Sequence, residues 1–320
     1  MKRLIVDTAN LFFRTCAAHN GANRYGNQPE DIANLALHSC LTGINKWYRQ
    51  INPDQIIVTF EGAKNWRKAY TQSDKCRSKV LYKGNRVKDP AMEHLFQVIS
   101  DFERLAREHT SIVCLSAPEL EGDDLIAGCA QKFSAMGDEV VILSGDKDFM
   151  QLLKLPNVVL LNPENGKPRE CEDPDYFIFE KCIRGDAGDN VRSAFPRVRK
   201  TRLDKAFTDE YEMTQLMNEQ WSFVNPETQE ETTYTVKDLF EENQLLMDLE
   251  KQPTEIKQII NETIETGLVN HGKFNFFAFS KFLGQHGLVQ ISENIDKFAK
   301  VLSCSPDSVA TPKKVGALIF

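Results

Sequence analysis

The 320-residue chain is notable first for what it lacks. Its eight cysteines are scattered without one C-x-x-C pair. That spacing argues against a zinc ribbon or a dithiol redox motif, and a chain this long needs no disulfide staples. Reduced thiols in a cytoplasmic compartment are the expectation. No uninterrupted apolar run approaches membrane-spanning length, so no membrane partner is expected. There is no G-x-S-x-G and no G-x-x-x-x-G-K-[ST], which removes the serine-hydrolase elbow and the phosphate-cradling loop of NTPases. No internal repeat is visible. The opening MKRLIVDTANLFF superficially suggests a secretion signal, but Asp7 and Asn10 interrupt the apolar stretch and a strand is the simpler reading.

The net charge of −7 argues at first against a polyanion partner, yet the charge is unevenly spread. Residues 64–88 hold nine basic residues against Asp74, and residues 192–205 hold six against Asp204. These stretches carry +8 and +5, so the rest of the chain balances them with −20. Two basic stretches on an acidic body can grip nucleic acid while the body stays soluble; solvated helix faces would look the same.

The first half alternates strand and helix signals. LIVD (4–7), QIIVTF (55–60), SIVCLS (111–116) and EVVILS (139–144) read as short buried strands. Helices are expected over about 32–51, ended by Pro53, and over 90–108 and 120–136. The fold class implied is α/β, a mostly parallel central sheet with helices on both faces, plus a smaller, mainly helical domain. After about residue 184 strand signals nearly vanish, apart from a hairpin around 222–236 with Asn225-Pro226 at its turn. In FNFFAFSKFL (274–283), Phe274, Phe277 and Phe282 read as core residues of a helix face. Residues 305–320 read as a flexible tail with an apolar end.

Acids recur where strands end. Asp7 closes the first, Glu61 follows the second, Glu121, Asp123 and Asp124 follow the third, and Asp146 and Asp148 follow the fourth. In an open parallel sheet the carboxyl ends of strands converge on one crevice. So many carboxylates there would repel one another, and hard oxygen ligands suit Mg²⁺. Two such ions about 4 Å apart could activate a water and stabilise the leaving oxygen of a phosphodiester. Taken singly, each acid also suits a loop cap or a helix N-terminus.

IVDTANLFFR, LEGDDLIAG, LSGDKDFMQL and GDAGDN (185–190), in this order and spacing, resemble the flap-endonuclease/5′-exonuclease superfamily. Within it they resemble the ribonuclease H branch of T-even-like bacteriophages, which are 5′-nucleases. The likeness covers roughly residues 1–300 and includes the helix–three-turn–helix region; any one motif alone would be weak. It implies a structure-specific 5′-to-3′ nuclease, exonuclease and flap endonuclease in one site, acting on DNA and RNA primers in replication. It also implies two Mg²⁺ ions, with Mn²⁺ able to substitute.

By the same resemblance Asp7, Glu121, Asp123, Asp124 and Asp146 hold the first ion. Asp148, Asp186 and Asp189 surround the second, with Asp146 between them. Glu61 stands where many relatives have aspartate. YKGNR (82–86) matches the end of an arch enclosing the 5′ strand, about 64–88. Lys83 would neutralise the scissile phosphate, Tyr82 would stack on a base, and Arg67 and Arg86 would contact phosphate. Lys83, Arg67 and Asp146 thus form the expected catalytic set. Arg192, Arg197, Arg199, Lys200 and Arg202 replace a glycine-rich backbone grip on the duplex, with no glycine after Gly188 in that segment.

The expected domains are a nuclease domain over 1–184, a duplex-binding domain over 185–303 and a tail over 304–320. KKVGALIF (313–320) resembles peptides that dock on sliding clamps, with Leu318, Ile319 and Phe320 as anchors. Expected partners are 5′-flap or 5′-ended DNA, RNA–DNA hybrids, a clamp and a single-strand-binding protein. The chain is expected to be a monomer in the cytoplasm, a bacterial host's if phage-encoded. A PIN-like endoribonuclease shares the sheet and acids but would lack YKGNR and GDAGDN. A non-catalytic nucleic-acid-binding protein of the same fold would tolerate lost acids, and here only an Asp-to-Glu exchange at Glu61 departs from the pattern.

Overall fold

The computed structural model describes residues 1–20, 28–86, 92–224 and 231–306. Leu318, Ile319 and Phe320, and the Asn225-Pro226 turn, lie outside them. In chain order the elements begin β1 (Lys2–Asp7), α1 (Thr8–Asn20), α2 (Pro29–Ile51), β2 (Gln55–Thr59) and α3 (Trp66–Gln72). Next come α4 (Met92–His109), β3 (Val113–Leu115), α5 (Gly122–Ala135), β4 (Glu139–Leu143), β5 (Val158–Leu161) and α6 (Pro174–Arg184). Then follow α7 (Lys200–Thr208), α8 (Glu210–Asn218), β6 (Gln220–Val224), β7 (Glu231–Thr235) and α9 (Val236–Met247). The last four are α10 (Thr254–Val269), α11 (Phe276–Gln285), α12 (Val289–Ser292) and α13 (Ile295–Leu302). Among the described residues no helix is long and apolar enough to cross a membrane.

Two compact units share the chain. The first comprises 1–63, 88–170 and 258–320, and the second 64–87 and 171–257. The chain therefore passes between units at 63–64, 87–88, 170–171 and 257–258, and the expected boundary at 184–185 falls inside the second unit.

The first unit is built on a five-stranded parallel sheet in the order β3-β2-β1-β4-β5. β5, VVLL between Asn157 and Asn162, is an edge strand that the sequence reading passed over. Side chains alternate across the sheet, as a period of two requires. Leu4, Val6, Ile56, Val58, Val141 and Leu143 join a core built with α1, α2, α4 and the last helices. α5 packs against β1, β2 and β4, and its Phe133 ring lies 3.8 Å under the Arg3 guanidinium, on the face opposite Leu4. α2 starts at Pro29, whose missing N–H costs nothing there, and ends at Asn52 with φ 50° before Pro53.

α11 corrects one expectation. Phe279 and Phe282 are buried and Phe274 packs against the core, but Phe277 is 84% exposed. The helix starts at Phe276, so its inward stripe passes through Phe279, Phe282 and Leu283.

The second unit is mainly helical, with β6 and β7 as an antiparallel hairpin. Phe179, Ile183, Leu203, Leu216 and Leu239 centre its core. Asn243 donates from Nδ2 to the carbonyls of Cys182 (2.7 Å) and Arg192 (2.8 Å), fixing the loop that joins α6 to α7.

Candidate active site

Strand order reverses at β1, which pairs with β2 on one side and β4 on the other. Outside the carboxyl ends at such a reversal a parallel sheet leaves a crevice. Asp7 is in register with Thr59, and Val6 with Leu143, so Asp7, Glu61 and Asp146 leave the sheet from neighbouring strands. Asp7 is buried and accepts two hydrogen bonds. The Asn10 N–H reaches Oδ1 at 2.9 Å and the Ser144 hydroxyl reaches Oδ2 at 2.6 Å. The Ser144 oxygen in turn accepts the Asp146 N–H at 3.0 Å, so one buried hydroxyl ties the ends of β1 and β4 together. Asp146 Oδ1 accepts the Asp148 N–H at 2.8 Å and starts a 3₁₀ turn over Asp148–Lys154. Burial pushes the Asp7 carboxyl up to about 6; the two hydrogen bonds oppose this and the Asp146 charge adds to it.

The third group of acids sits at the start of α5. Glu121 is the N-cap, and its N–H donates to Asp124 Oδ2 at 3.1 Å; both side chains are buried, and Asp123 is half-buried. Asp124 therefore does serve the helix terminus, as an acid there should. Glu61 lies against the same turn, since a Cβ added at Gly122 would stand 3.3 Å from Glu61 Oε1. The Thr8 hydroxyl, directly after Asp7, is buried with no hydrogen-bond partner. Among the described residues no three His, Cys, Asp or Glu side chains already form a metal-holding group. The acids share an edge rather than a closed shell.

Asp186 and Asp189 belong to the second unit, together with Tyr82, Lys83 and Arg86. The GDAGDN loop closes on itself through Asp186 N–H to Val191 O (2.9 Å) and Val191 N–H to Asp186 O (2.7 Å). Gly185 opens it at φ 71°, where a Cβ would meet the Val191 carbonyl at 2.5 Å. Lys181 Nζ stands 2.9 Å from Asp186 Oδ2, and the N–H of Gly188 reaches Oδ1 at 2.7 Å. Burial would raise this carboxyl, but Lys181 and the loop N–H groups outweigh it and hold it below its ordinary range. Asp189 accepts the Tyr82 hydroxyl (2.9 Å) and Arg86 Nη2 (2.9 Å), with Lys83 Nζ at 3.9 Å. The turn at 81–86 is zipped to this loop by Lys83 N–H to Asp189 O and Asn190 Nδ2 to Leu81 O, both 2.8 Å.

Two expected nucleic-acid contacts are corrected. Arg67 is only 2% exposed; its Nε donates to the Leu246 carbonyl at 2.7 Å and its guanidinium lies 4.5 Å from the Trp66 ring centroid. Tyr82 is 5% exposed, its ring packed with Ile178, Cys182, Val191 and Leu246. Both are buried where apolar residues far along the chain converge, so neither presents itself to phosphate or base in this structure.

The basic stretch after GDAGDN divides as well. Arg197, Arg199 and Lys200 are exposed, and Arg197 and Arg199 line a cleft of about 470 Å³ with Arg202 and Lys205. Arg202 is ion-paired with Glu219, and the Arg192 guanidinium lies 3.5 Å from the Phe223 ring centroid. Sequence reasoning missed Ser144 and Lys181. Ser144 was visible as the small polar residue between β4 and GDKD; Lys181, five residues before Asp186 on α6, carried no signal.

Residues 2–180 match the family described as 5′-3′ exonuclease, N-terminal resolvase-like domain. The ribonuclease H of Enterobacteria phage T4 is 27% identical over 286 residues, covering 83% of this chain and 86% of that protein. DNA polymerase I of Streptococcus pneumoniae is 26% identical over 205 residues; the match takes 59% of this chain but only 22% of the polymerase. The chain thus spans about a fifth of the polymerase relatives it matches. Among solved structures, a bacteriophage T5 protein co-crystallised with metal ions superposes with a TM-score of 0.57 at 17% identity, over 83% of this chain and 100% of that one. A T5 flap endonuclease complex with DNA and metal ions gives 0.56 at 16% identity, over 83% and 99%. These likenesses speak to the fold. With its family match spanning more than half of its length, the chain belongs to the 5′-3′ exonuclease family, through its N-terminal resolvase-like domain.

Proposed function

We propose that the chain is a divalent-metal-dependent 5′-to-3′ nuclease that hydrolyses phosphodiesters at 5′ ends and flaps. The observation that carries this reading is the Asp7–Ser144–Asp146 bridge at the strand-order reversal. It brings a buried carboxylate whose donors are all neutral beside a second acid, and a cation is what would relieve that burial. The donor set is hard oxygen throughout; Mg²⁺ needs only a few carboxylates and keeps its own waters. Asp7, Glu121, Asp123, Asp124 and Asp146 would hold one such ion, with Glu61 reaching from β2, and Asp148 is a candidate for a second. Asp186 and Asp189 are the second unit's candidates. When bound, Mg²⁺ or Mn²⁺ supplies an activated water and charge to offset the departing 3′ oxygen.

The remaining roles fall to the chain itself. Ser144 orients Asp7 against Asp146. Lys83 and Arg86, beside Asp189, would contact phosphate, and Arg197, Arg199 and Lys200 offer backbone contacts without base specificity. The likeness to a ribonuclease H and to polymerase I supports RNA primers and flap DNA in replication as substrates. Under the same reading the peptide 313–320 docks on a clamp; its deletion should remove clamp stimulation and leave activity on naked DNA intact. The test of the nuclease reading is cleavage of a 5′-labelled flap duplex with Mg²⁺ and with excess chelator. Metal-dependent release of short 5′ products, lost in Asp146→Ala, is expected. Tight flap binding without cleavage under any divalent metal would favour the non-catalytic binder.

A further inference from the structure

Beyond its four residues β5 turns back on itself in a tight return that the row of acids does not require. Asn162 N–H donates to Lys167 O at 3.1 Å, Leu161 bridges to Pro168, and Arg169 N–H reaches Leu160 O at 2.8 Å. At the tip Gly166 takes φ 68°, and a Cβ there would meet the Trp47 ring at 2.5 Å, so the tip packs directly on α2. Glu164 in the same turn is ion-paired with Arg14 of α1. The return thereby delivers Arg169, half-buried, to the loop between β4 and Asp146. Its Nη2 donates to the Gly145 carbonyl at 2.8 Å.

That carbonyl belongs to the peptide unit joining Gly145 to Asp146. The N–H of the same unit donates to the Ser144 hydroxyl oxygen at 3.0 Å, and that hydroxyl donates to Asp7. Because the unit is planar, Arg169 and Ser144 hold one rigid plate from opposite sides. The preceding unit is held as well, its Gly145 N–H on Asn10 Oδ1 at 2.9 Å. Turning the plate would swing the Asp146 Cα and strain the bond to Ser144. A guanidinium on a carbonyl is a charge-assisted bond, of the stronger kind. Arg169 Nε, by contrast, is buried with no hydrogen-bond partner. A buried donor left orphaned is costly, so the placement of this side chain serves the carbonyl and not its own satisfaction.

We propose that Arg169 is a positioning residue. Through the Gly145 carbonyl it sets where the Asp146 carboxylate stands relative to Asp7, and so how well the acids hold a divalent cation. The inference rests on the nuclease reading and deepens it. A guanidinium in this place could also meet a phosphate of the strand, and the test separates the two roles.

The full chain is compared with Arg169→Met, which keeps the aliphatic stem without the donor, and Arg169→Lys, which keeps one donor group and the charge. Three quantities are measured: Mn²⁺ binding by electron paramagnetic resonance without DNA, flap binding in excess chelator, and urea unfolding in chelator. Arg169→Met is expected to weaken Mn²⁺ binding about tenfold, as loss of an outer partner of a metal ligand does, with flap binding and the urea midpoint little changed. Arg169→Lys should recover most of that loss. Added to Ser144→Ala, Arg169→Met should weaken Mn²⁺ binding by less than about threefold more, because both side chains hold one plate. Mn²⁺ binding unmoved by Arg169→Met would overturn the proposal, and so would a loss that follows a lowered urea midpoint and is not recovered by lysine. Weaker flap binding with unmoved Mn²⁺ binding would assign Arg169 to phosphate instead. Arg169→Gln, neutral and two atoms shorter, replaces Arg169→Met should that variant not fold. Cleavage with Mg²⁺ is scored separately. Mn²⁺ binding that depends on Arg169 in a chain that never cuts upholds the positioning role and sinks the nuclease reading. Cleavage with Mn²⁺ binding indifferent to Arg169 sinks the inference alone, and no Mn²⁺ binding by the unaltered chain sinks both.

Discussion

β1 ends in a buried carboxylate environment on both sides, and the two are built in opposite ways. At its amino end Asp138 receives Arg3 Nε at 2.7 Å and the Met1 ammonium at 2.6 Å. Burial would raise this carboxyl, but those bonds and charges outweigh it and hold it below the ordinary range. At its carboxyl end Asp7 has only a hydroxyl and an amide as donors, and burial leaves it near 6. The same residue type is compensated at one end and left wanting a cation at the other. A paired buried acid anchors the sheet, whereas an acid buried without a cation is costly unless something binds there.

Four substitutions can break or sharpen this contrast. The largest effect is expected from Asp146→Ala, which should lower flap cleavage by more than the roughly 10–100-fold that follows loss of an outer partner of a metal ligand. Flap binding in chelator should persist. A mutant that still cut normally would remove the carboxyl end from the mechanism.

Asp138→Asn should act on folding instead, costing about 3 kcal/mol in urea unfolding at neutral pH, because Arg3 is left buried without its counter-charge. The sign with pH follows from the depressed carboxyl. Its contribution is full above the usual carboxylate value and is lost as pH falls through the lower folded value. The difference between Asp138→Asn and the parent should therefore shrink in acid; a constant difference would mean that the pair is not what stabilises this end.

Ser144→Ala removes the bridge and both its hydrogen bonds. Metal titration of activity should shift by about tenfold, the lower part of the outer-partner range, with unfolding little changed. If stability fell and the titration did not move, Ser144 would be a packing residue only. Smallest is Thr8→Val, which deletes a buried hydroxyl without a partner. Metal-free stability should be unchanged or rise by up to about 1 kcal/mol, measured by urea unfolding in chelator.

Much of the first unit was legible because its signals are local. Short β-branched runs ending in acids mark strands and their carboxyl ends without knowledge of partners. β5 was missed because four residues beside Pro156 and Pro163 carry little periodicity. The second unit was less legible for a physical reason. Whether Arg67 faces phosphate or a carbonyl is decided by Leu246, 179 residues away, and Tyr82 is buried by residues of α6 and α9. Phe277 failed through register, since moving the helix start by one residue turns a face by about a quarter of a turn.

The last helices have a consequence for synthesis. Phe298, Val301 and Leu302 belong to the same core as Val6 and Val58, and the Leu302 carbonyl accepts the Ser111 N–H at 2.7 Å beside β3. At ribosomal rates of about 5–20 residues per second, the acid-bearing strands emerge many seconds before the residues that complete their core. A nascent chain therefore carries its acid-bearing strand ends on an unfinished core until α13 arrives.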